Sequence, residues 1–168
     1  MYHINEKSEA VREIQTYLRE LSRRFDEIPV IHIDGIYGEE TREAVRAFQK
    51  MAGIPETGDS DYETFTLLFR LYETVKNERI GESELIPAAA FPLRMGDSGS
   101  YVRILQSVLG EVLTLTLPAD GFYGRTTEDA VRLAEGRYRF PSSGNVSRLL
   151  WQMLALDYRA AIAEKILT

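Results

Sequence analysis

Few side chains of this protein are arranged for catalysis or for metal binding. The two histidines, His3 and His32, are far apart and lack the spacing of zinc ligands, and a catalytic zinc needs three protein ligands and an open position. The 168 residues include no cysteine, which removes thiolate metal sites and disulfides. Carboxylates are abundant, but no pair lies in an apolar setting that would separate two pKa values for acid–base catalysis. We therefore predict no enzyme activity, no catalytic residue, no metal and no cofactor.

Polar residues that suit binding recur in two copies of one sequence pattern. Residues 34–46 and 120–132 both follow the order Asp-Gly-x-Tyr-Gly-x-x-Thr-x-x-Ala-Val-Arg, with eight of thirteen positions identical. The aspartate can accept hydrogen bonds from backbone N–H groups of a turn, and the glycines tolerate a positive φ or a close backbone approach. The pattern predicts a tight turn that leads directly into a helix, and its recurrence predicts an internal repeat.

Apolar residues at helical spacing predict three helices in the first copy. We expect these helices over residues 8–25, 39–52 and 61–77. Ser8 is a good N-cap for the first helix, and Gly53 can end the second. The third helix is expected to be capped by Asp59, Ser60 or Asp61.

The second copy predicts the same helices in the same order. We expect them over residues 99–112, from the turn at 120–124 onward, and from about 145 to 166. Ser98 or Ser100 is the expected N-cap of the first of these helices, and the alternation of threonine with leucine over 113–117 hints at a short strand. The fold class that follows is all-α, with two three-helix repeats.

The two copies differ at the end of their second helix. Phe48-Gln49 in the first copy becomes Ala134-Glu135 in the second. Gly136 follows at a position where a helix disfavours glycine. We therefore expect this corner to be looser in the second copy.

A polar and proline-containing stretch separates the copies. It ends in an Ala-Pro segment that we expect to be extended, because proline biases the residue before it away from helix. The predicted organisation is a first domain over 1–77, a linker over 78–92 and a second domain over 93–168.

Composition limits the classes of partner. The net charge is −6 and the isoelectric point is near 5.1, which argues against a nucleic-acid partner because phosphates select a basic face. No apolar run approaches the roughly 18 residues that a membrane span needs. Residues 1–7 show no basic segment followed by an apolar core, so we expect no secretory signal.

The order of the motifs resembles a known family. Each copy has Val-x-x-Ile/Leu-Gln-x-x-Leu before the Asp-Gly-x-Tyr-Gly turn, and the first copy then has Phe-Gln, a Gly-Asp segment and a last helix with an aromatic residue. This order is similar to that of the small three-helix peptidoglycan-binding domain found in cell-wall hydrolases and in spore and phage lytic proteins. The resemblance covers nearly everything outside the linker and the ends, and it is partial after Arg132. It implies a non-catalytic module that binds the glycan or the peptide of bacterial peptidoglycan.

If the resemblance extends to binding, the ligand contacts a rim around each repeated turn. The candidate ligand-binding residues are Gln15, Asp34, Tyr37, Thr41, Gln49, Gln106, Asp120, Tyr123 and Thr127. A structural interpretation fits the same residues: aspartate caps the turn, tyrosine packs, threonine fixes the helix start and glutamine holds the neighbouring loop. Tyr62 and Tyr72 stack on sugar rings in the first interpretation and belong to the core in the second.

Two functions from different classes remain open. One is a wall-binding module that targets an associated activity, such as a separate wall hydrolase or a particle protein, to peptidoglycan. The other is a protein-interaction or assembly module that keeps the fold without wall binding, which the negative charge and the loss of Phe-Gln in the second copy favour. The corresponding locations are the cell wall, a particle or a spore reached without a classical signal, and otherwise the cytoplasm.

Overall fold

The described part of the protein, residues 4–77 and 86–167 of a computed structural model, is built from helices. It contains six α-helices and one short 3-10 helix, and its extended pairing is limited to two isolated β-bridges. The α-helices are α1 (Ile4–Ser22), α2 (Glu39–Ala52), α3 (Tyr62–Asn77), α4 (Ser100–Val112), α5 (Arg125–Tyr138) and α6 (Arg148–Leu167). They form two compact units, unit 1 with α1–α3 and unit 2 with α4–α6. The prediction of an all-α fold with two three-helix repeats is confirmed.

Each helix of unit 1 packs against the other two through an apolar face. The fully buried side chains of these faces include Leu18, Leu21, Val45, Phe48, Leu68 and Leu71. Burial of a side chain of this size stabilises the fold by about 1.5–3 kcal/mol. The helices are therefore held together by their inward faces, and the loops between them are left to carry polar groups.

Unit 2 is built in the same way around α6. Its fully buried side chains include Leu105, Leu109, Val131, Leu149, Trp151 and Leu154. All three helix pairs of this unit are in contact. The two repeated turns are thus each fixed between the first and second helices of a closed three-helix core.

The first helix begins earlier than its sequence pattern indicated. Helix α1 starts at Ile4, so Ser8 lies inside the helix and the prediction that it is the N-cap is wrong. No glycine or proline precedes Ser8 in this stretch, and Glu6 and Lys7 are good helix formers that extend the helix toward the N-terminus. The helix ends at Ser22 rather than at Phe25.

The second and third helices have almost the predicted bounds. Helix α2 ends before Gly53, which has a left-handed φ of 70° as a residue after a helix often does. Of the three candidate caps for α3, Asp61 is the one that accepts a hydrogen bond from the Thr64 N–H group, at 2.8 Å. The bonds from Thr64 hold the pKa of Asp61 below its ordinary value.

Helix α4 has a glycine rather than a serine as its N-cap. Gly99 occupies this position with a φ of 120° and no side-chain cap, so the prediction of Ser98 or Ser100 is wrong. Only glycine adopts such a φ without strain. The N–H group of Gly99 donates to the carbonyl oxygen of Gly121 at 2.8 Å, and this bond ties the helix start to the repeated turn.

The segment after α4 does not form the short strand that its alternation hinted at. Thr114 has a φ of 54°, which interrupts extended geometry. The N–H groups of Leu113 and Leu115 donate to the carbonyl oxygens of Leu109 and Gly110 at 3.0 and 2.9 Å. Because the helix end takes these donors, they are not available for a strand ladder.

The Ala-Pro segment before unit 2 is not extended as expected. Ala88–Ala90 forms a 3-10 helix, in which the N–H group of Ala90 donates to the Pro87 carbonyl oxygen at 2.9 Å. Proline fixes its own φ and restricts the residue that precedes it, so the three alanines between Pro87 and Phe91 remain free to turn.

The residues around this turn pack within unit 2. Ile86 is 1% exposed, and the ring of Phe91 lies 6.3 Å from the ring of Trp151. We therefore propose that unit 2 begins before Leu93. The earlier part of the predicted linker, residues 78–85, lies outside the described residues.

Candidate functional site

A buried glutamine of α1 holds the first repeated turn. Gln15 is 1% exposed, and its Nε2 group lies 2.8 Å from Asp34 Oδ1, 3.1 Å from the Ile36 carbonyl oxygen and 3.0 Å from Thr41 Oγ1. Its Oε1 atom accepts the N–H group of Gly35 at 2.9 Å. The amide therefore bonds to the turn from both of its ends.

The same arrangement is present in unit 2. The Nε2 group of Gln106 lies 2.9 Å from both Asp120 Oδ1 and the Phe122 carbonyl oxygen and 3.0 Å from Thr127 Oγ1. Its Oε1 atom accepts the N–H group of Gly121 at 2.8 Å. We call these two arrangements the glutamine clamps.

The aspartate of each turn is exposed and anionic. Asp34 Oδ1 accepts the N–H group of Ile36 at 2.8 Å, and Asp120 Oδ1 accepts that of Phe122 at 2.9 Å. These backbone bonds, followed by the bond from the clamp glutamine, lower the pKa of both carboxyl groups. Each turn thus presents a fixed negative charge to solvent.

The tyrosine of each turn connects it to the loop before the third helix. The hydroxyl groups of Tyr37 and Tyr123 donate to the carbonyl oxygens of Gly58 and Gly144 at 2.9 and 2.7 Å. Burial raises the pKa of both tyrosines, so each phenol stays protonated and can donate. Tyr123 is fully buried, whereas Tyr37 is half-buried under the guanidinium of Arg42, 5.4 Å from the ring centre.

The first glycine of the motif is required by space as well as by backbone conformation. Gly121 has a φ of 80°, and a Cβ atom there would lie 3.1 Å from the Gly99 carbonyl oxygen. Gly35 has a φ of 78°, and its Cβ would lie 2.5 Å from Ser8 Oγ. The positive φ, together with these close contacts, explains why both copies have a residue without a side chain at this position.

A second buried glutamine holds the second loop of unit 1. Gln49, 1% exposed, accepts the N–H group of Gly58 at 2.8 Å. Its Nε2 group lies 3.0 Å from Thr57 Oγ1, the Asp59 carbonyl oxygen and Thr64 Oγ1. Since Tyr37 bonds to the carbonyl oxygen of the same Gly58, the first turn and the second loop are held as one network.

In unit 2 a glutamate does this work. Glu135 is 2% exposed and accepts the N–H group of Ser143 at 3.0 Å, its hydroxyl at 2.5 Å and the N–H group of Gly144 at 3.0 Å. Helix α5 runs through Gly136 and has 14 residues, as α2 has. The corner that we expected to be looser is closed in both units.

Glu135 is a structural residue that sequence reasoning missed. A glutamate on a helix is normally read as a surface residue. The signal that could have found it is its register, because the offset that places Gly144 on Gly58 also places Glu135 on Gln49.

Most of the nine candidate site residues face inward. The structure buries Gln15, Thr41, Gln49, Gln106, Tyr123 and Thr127, half-buries Tyr37, and exposes Asp34 and Asp120. They form one cluster in each unit. Whether any of them contacts a ligand stays a prediction, but the aspartates are the members whose polar atoms face solvent.

Each aspartate has an exposed apolar neighbour that sequence reasoning did not single out. Ile36 is 67% exposed and Phe122 is 56% exposed. The signal was present, because the variable position between Gly and Tyr of the motif is apolar in both copies. Each turn therefore offers a carboxylate beside an apolar side chain.

The described residues contain neither a metal-binding cluster nor a membrane-spanning helix. No group of three or more histidine, cysteine or carboxylate side chains there could hold a metal ion. Among the helices within 4–77 and 86–167, none has the length and hydrophobicity of a membrane-spanning segment.

Comparison with known proteins gives one family for both units. The family model described as "Putative peptidoglycan binding domain" matches residues 7–68 and 98–154, one stretch in each unit. The two stretches cover more than half of the chain, and the chain belongs to this family of peptidoglycan-binding domains. No curated protein and no solved structure matches it.

Proposed function

We propose that this protein is a non-catalytic module that binds bacterial peptidoglycan and brings an associated activity to the cell wall. The observation that carries the proposal is the family match over both units, each with the same clamped turn. The associated activity would belong to a separate wall hydrolase or to a particle protein. The proposed location is therefore the cell wall.

The exposed edge of each turn is the proposed contact surface. The carboxylates of Asp34 and Asp120 are hydrogen-bond acceptors when ionised, so they suit amide N–H groups, sugar hydroxyls or an ammonium group of a stem peptide. Ile36 and Phe122 supply an apolar wall beside them. The buried clamps hold these groups in place before the ligand arrives, which reduces the cost of binding.

Two copies in one chain give a physical reason for the duplication. Each contact surface is small, and its affinity for one site would be modest. A polymer with repeating sites lets the second unit bind at a high effective concentration once the first is bound. The proposal therefore expects weak binding by one competent unit and strong binding by two.

Co-sedimentation with insoluble peptidoglycan tests the proposal in the full chain. Ile36→Ser and Phe122→Ser should each lower the bound fraction, and the double variant should lower it to background. Leu133→Ser is the matched control, because Leu133 is 58% exposed and Phe122 is 56% exposed. A wild-type chain that stays in the supernatant with peptidoglycan of several chemotypes would overturn the proposal.

One observation favours an assembly module as the second candidate. The clamp glutamines, the threonines and Tyr123 are satisfied within each unit, so the motif has a complete structural role without a ligand. A chain that does not sediment with peptidoglycan but forms a defined complex with a purified protein would support this function instead.

A further inference from the structure

Helix α3 has an inward apolar face in the core of unit 1 and another face with a row of aromatic residues that are partly exposed. The inward face carries Leu67, Leu68 and Leu71, which are at most 1% exposed. The other face carries four aromatic residues with spacings of three, four and three, which places them along one side of the helix. These residues are Tyr62, Phe65, Phe69 and Tyr72.

Tyr17 of α1, a core residue that is 8% exposed, packs against three of these rings. Its ring centre lies 4.3 Å from that of Tyr72, 5.9 Å from that of Phe69 and 6.3 Å from that of Phe65. The rings of Phe65 and Phe69 are 9° from parallel. We call Tyr62, Phe65, Phe69 and Tyr72 the aromatic face.

The exposed part of this face is small. Phe69 is 41% exposed and Tyr62 is 83% exposed, while Phe65 and Tyr72 are half-buried. An aromatic side chain carries about 150–250 Å² of surface, so the two exposed rings offer roughly 250 Å². A stable protein interface buries about 800 Å² on each partner, which makes a second copy or a partner helix a poor fit.

Charged groups border the rings. The Tyr17 hydroxyl donates to the carboxylate of Glu13, and the Lys76 ammonium lies 5.6 Å from the centre of the Tyr72 ring. A sugar ring has a face of C–H groups that packs on an aromatic ring and a rim of hydroxyls that needs donors and acceptors. The aromatic face with its charged border offers both.

Unit 2 does not repeat this surface. Ala155 stands at the position of Phe69, and Trp151 stands at that of Phe65. Trp151 is 2% exposed, and the ring of Phe91 packs 6.3 Å from it. The aromatic face is therefore a feature of unit 1 alone.

We infer that the aromatic face of unit 1 binds a sugar ring of a peptidoglycan glycan strand. This inference rests on the proposed function, because peptidoglycan is the ligand class of the family to which both units belong. It adds a contact to the glycan that is separate from the two clamped turns. Unit 1 would then recognise more of the polymer than unit 2 does.

NMR of the wild-type full chain tests the inference directly. The probes are glycan strands freed of stem peptide and, separately, free stem peptide, with the aromatic signals of Phe69 and Tyr72 as the readout. The glycan should shift these signals and the peptide should not. Phe69→Ala should weaken glycan binding about three- to tenfold, the scale of one aromatic contact.

Two further variants guard against effects on folding. Phe69→Leu keeps an apolar side chain without a flat ring and should also weaken glycan binding. Tyr101→Ala is the matched control, because Tyr101 on α4 is 42% exposed, and it should leave binding within about twofold.

The outcomes separate this inference from the proposed function. If the wild-type chain sediments with peptidoglycan but glycan moves neither ring signal and Phe69→Ala binds normally, the inference is wrong and the proposed function stands. If the wild-type chain neither sediments nor binds glycan, the proposed function fails and the inference fails with it. Self-association that Phe69→Ala abolishes, without any glycan-induced shift, would assign the face to a protein contact.

Discussion

Units 1 and 2 hold their first turn with the same amide but their second loop with different groups. Gln15 and Gln106 make four matching contacts in the two units. The second loop is held by the amide of Gln49 in unit 1 and by the carboxylate of Glu135 in unit 2. The difference shows which polar contacts can change and what must change with them.

The partners of the second loop differ along with the residue that holds it. The amide of Gln49 donates toward the hydroxyl of Thr64, and the corresponding position in unit 2 is Leu150, which is fully buried. The carboxylate oxygens of Glu135 accept hydrogen bonds from the loop, so Glu135 makes no use of an acceptor at position 150. It accepts both the N–H and the hydroxyl of Ser143 instead.

The largest expected effect comes from removing a glutamine clamp. Gln106→Leu keeps a similar volume but leaves the buried N–H group of Gly121 and the Thr127 hydroxyl without this partner. We expect a loss of about 2–4 kcal/mol in the free energy of unfolding of unit 2. Urea unfolding followed by fluorescence measures it, because Trp151 is the single tryptophan and lies in unit 2.

The equivalent change in unit 1 sharpens the comparison. Gln15→Leu should lower the free energy of unfolding of unit 1, followed by far-UV circular dichroism, by a similar amount. The unfolding transition reported by Trp151 should stay at the same urea concentration. Gln152→Leu, at a half-buried position of α6, is the control and should change stability by less than about 0.5 kcal/mol. If Gln106→Leu lowers the free energy of unfolding no more than this control does, the glutamine clamp does not stabilise unit 2.

Exchanging the residues of the second loop should have unequal effects in the two units. Gln49→Glu places a buried carboxylate against the Asp59 carbonyl oxygen, which has no proton to donate, and should cost about 2–3 kcal/mol. Glu135→Gln keeps an acceptor for the Gly144 N–H group and should cost about 1 kcal/mol. Urea unfolding by circular dichroism reports the first change, and Trp151 fluorescence reports the second.

A double-mutant cycle tests whether residues 135 and 150 changed as a pair. Leu150→Thr alone places a hydroxyl in the core of unit 2. In the presence of Glu135→Gln that hydroxyl gains an amide donor, as Thr64 has in unit 1. The double variant should therefore lose less free energy of unfolding than the two single variants lose together, by about 0.5–3 kcal/mol. Additive losses would show that the two positions are independent.

The repeat, the turns and most of the helices could be predicted from the sequence. Whether the polar side chains point inward or toward solvent could not. Helical spacing and the paired glycines give the second helix and its end at Gly53. Gln15 reaches partners 19 to 26 positions away in sequence, so a clamp and a ligand contact look the same in the pattern.

The missed features have a common physical origin. Glu135 resembles a surface residue until its burial is known, and the turn at Ala88–Ala90 depends on local hydrogen bonding that proline spacing does not reveal. Helix α1 begins at Ile4, before Ser8, because no residue between Ile4 and Ser8 stops a helix, although Ser8 is a good cap residue. In each case a local preference was outweighed by contacts or by continued helix formation.

A smaller effect is expected from the charge of the turn aspartate. The pKa of Asp120 is lowered from 3.8, chiefly by the Phe122 N–H bond and then by Gln106. A carboxyl group with a lowered pKa in the folded state stabilises the fold above its unfolded pKa, and this stability is lost as pH falls through the folded value. Asp120→Asn keeps the acceptor oxygen without the titration.

The stability of unit 2 should depend less on pH in the Asp120→Asn variant than in the wild-type chain. Between about pH 6 and about pH 3, the Trp151 unfolding midpoint of Asp120→Asn should fall less than that of the wild-type chain. Asp34→Asn, the same change in unit 1, should leave the acid dependence of the Trp151 midpoint as it is in the wild-type chain. Equal slopes for wild type and Asp120→Asn would show that this carboxylate contributes nothing to the acid dependence.

The smallest predicted effect is a gain in stability at a glycine that only unit 2 has. A Cβ atom at Gly136 would meet nothing within 4 Å, and α5 already runs through this position. Gly136→Ala should therefore stabilise unit 2 by about 0.5–1 kcal/mol, since alanine loses less backbone freedom on folding. Gly110→Ala in α4 is the matched contrast, because its Cβ would lie 3.2 Å from the Leu115 carbonyl oxygen. The Trp151 transition should rise for Gly136→Ala and not for Gly110→Ala, and an equal rise for both would show that the end of α4 yields to the added methyl group.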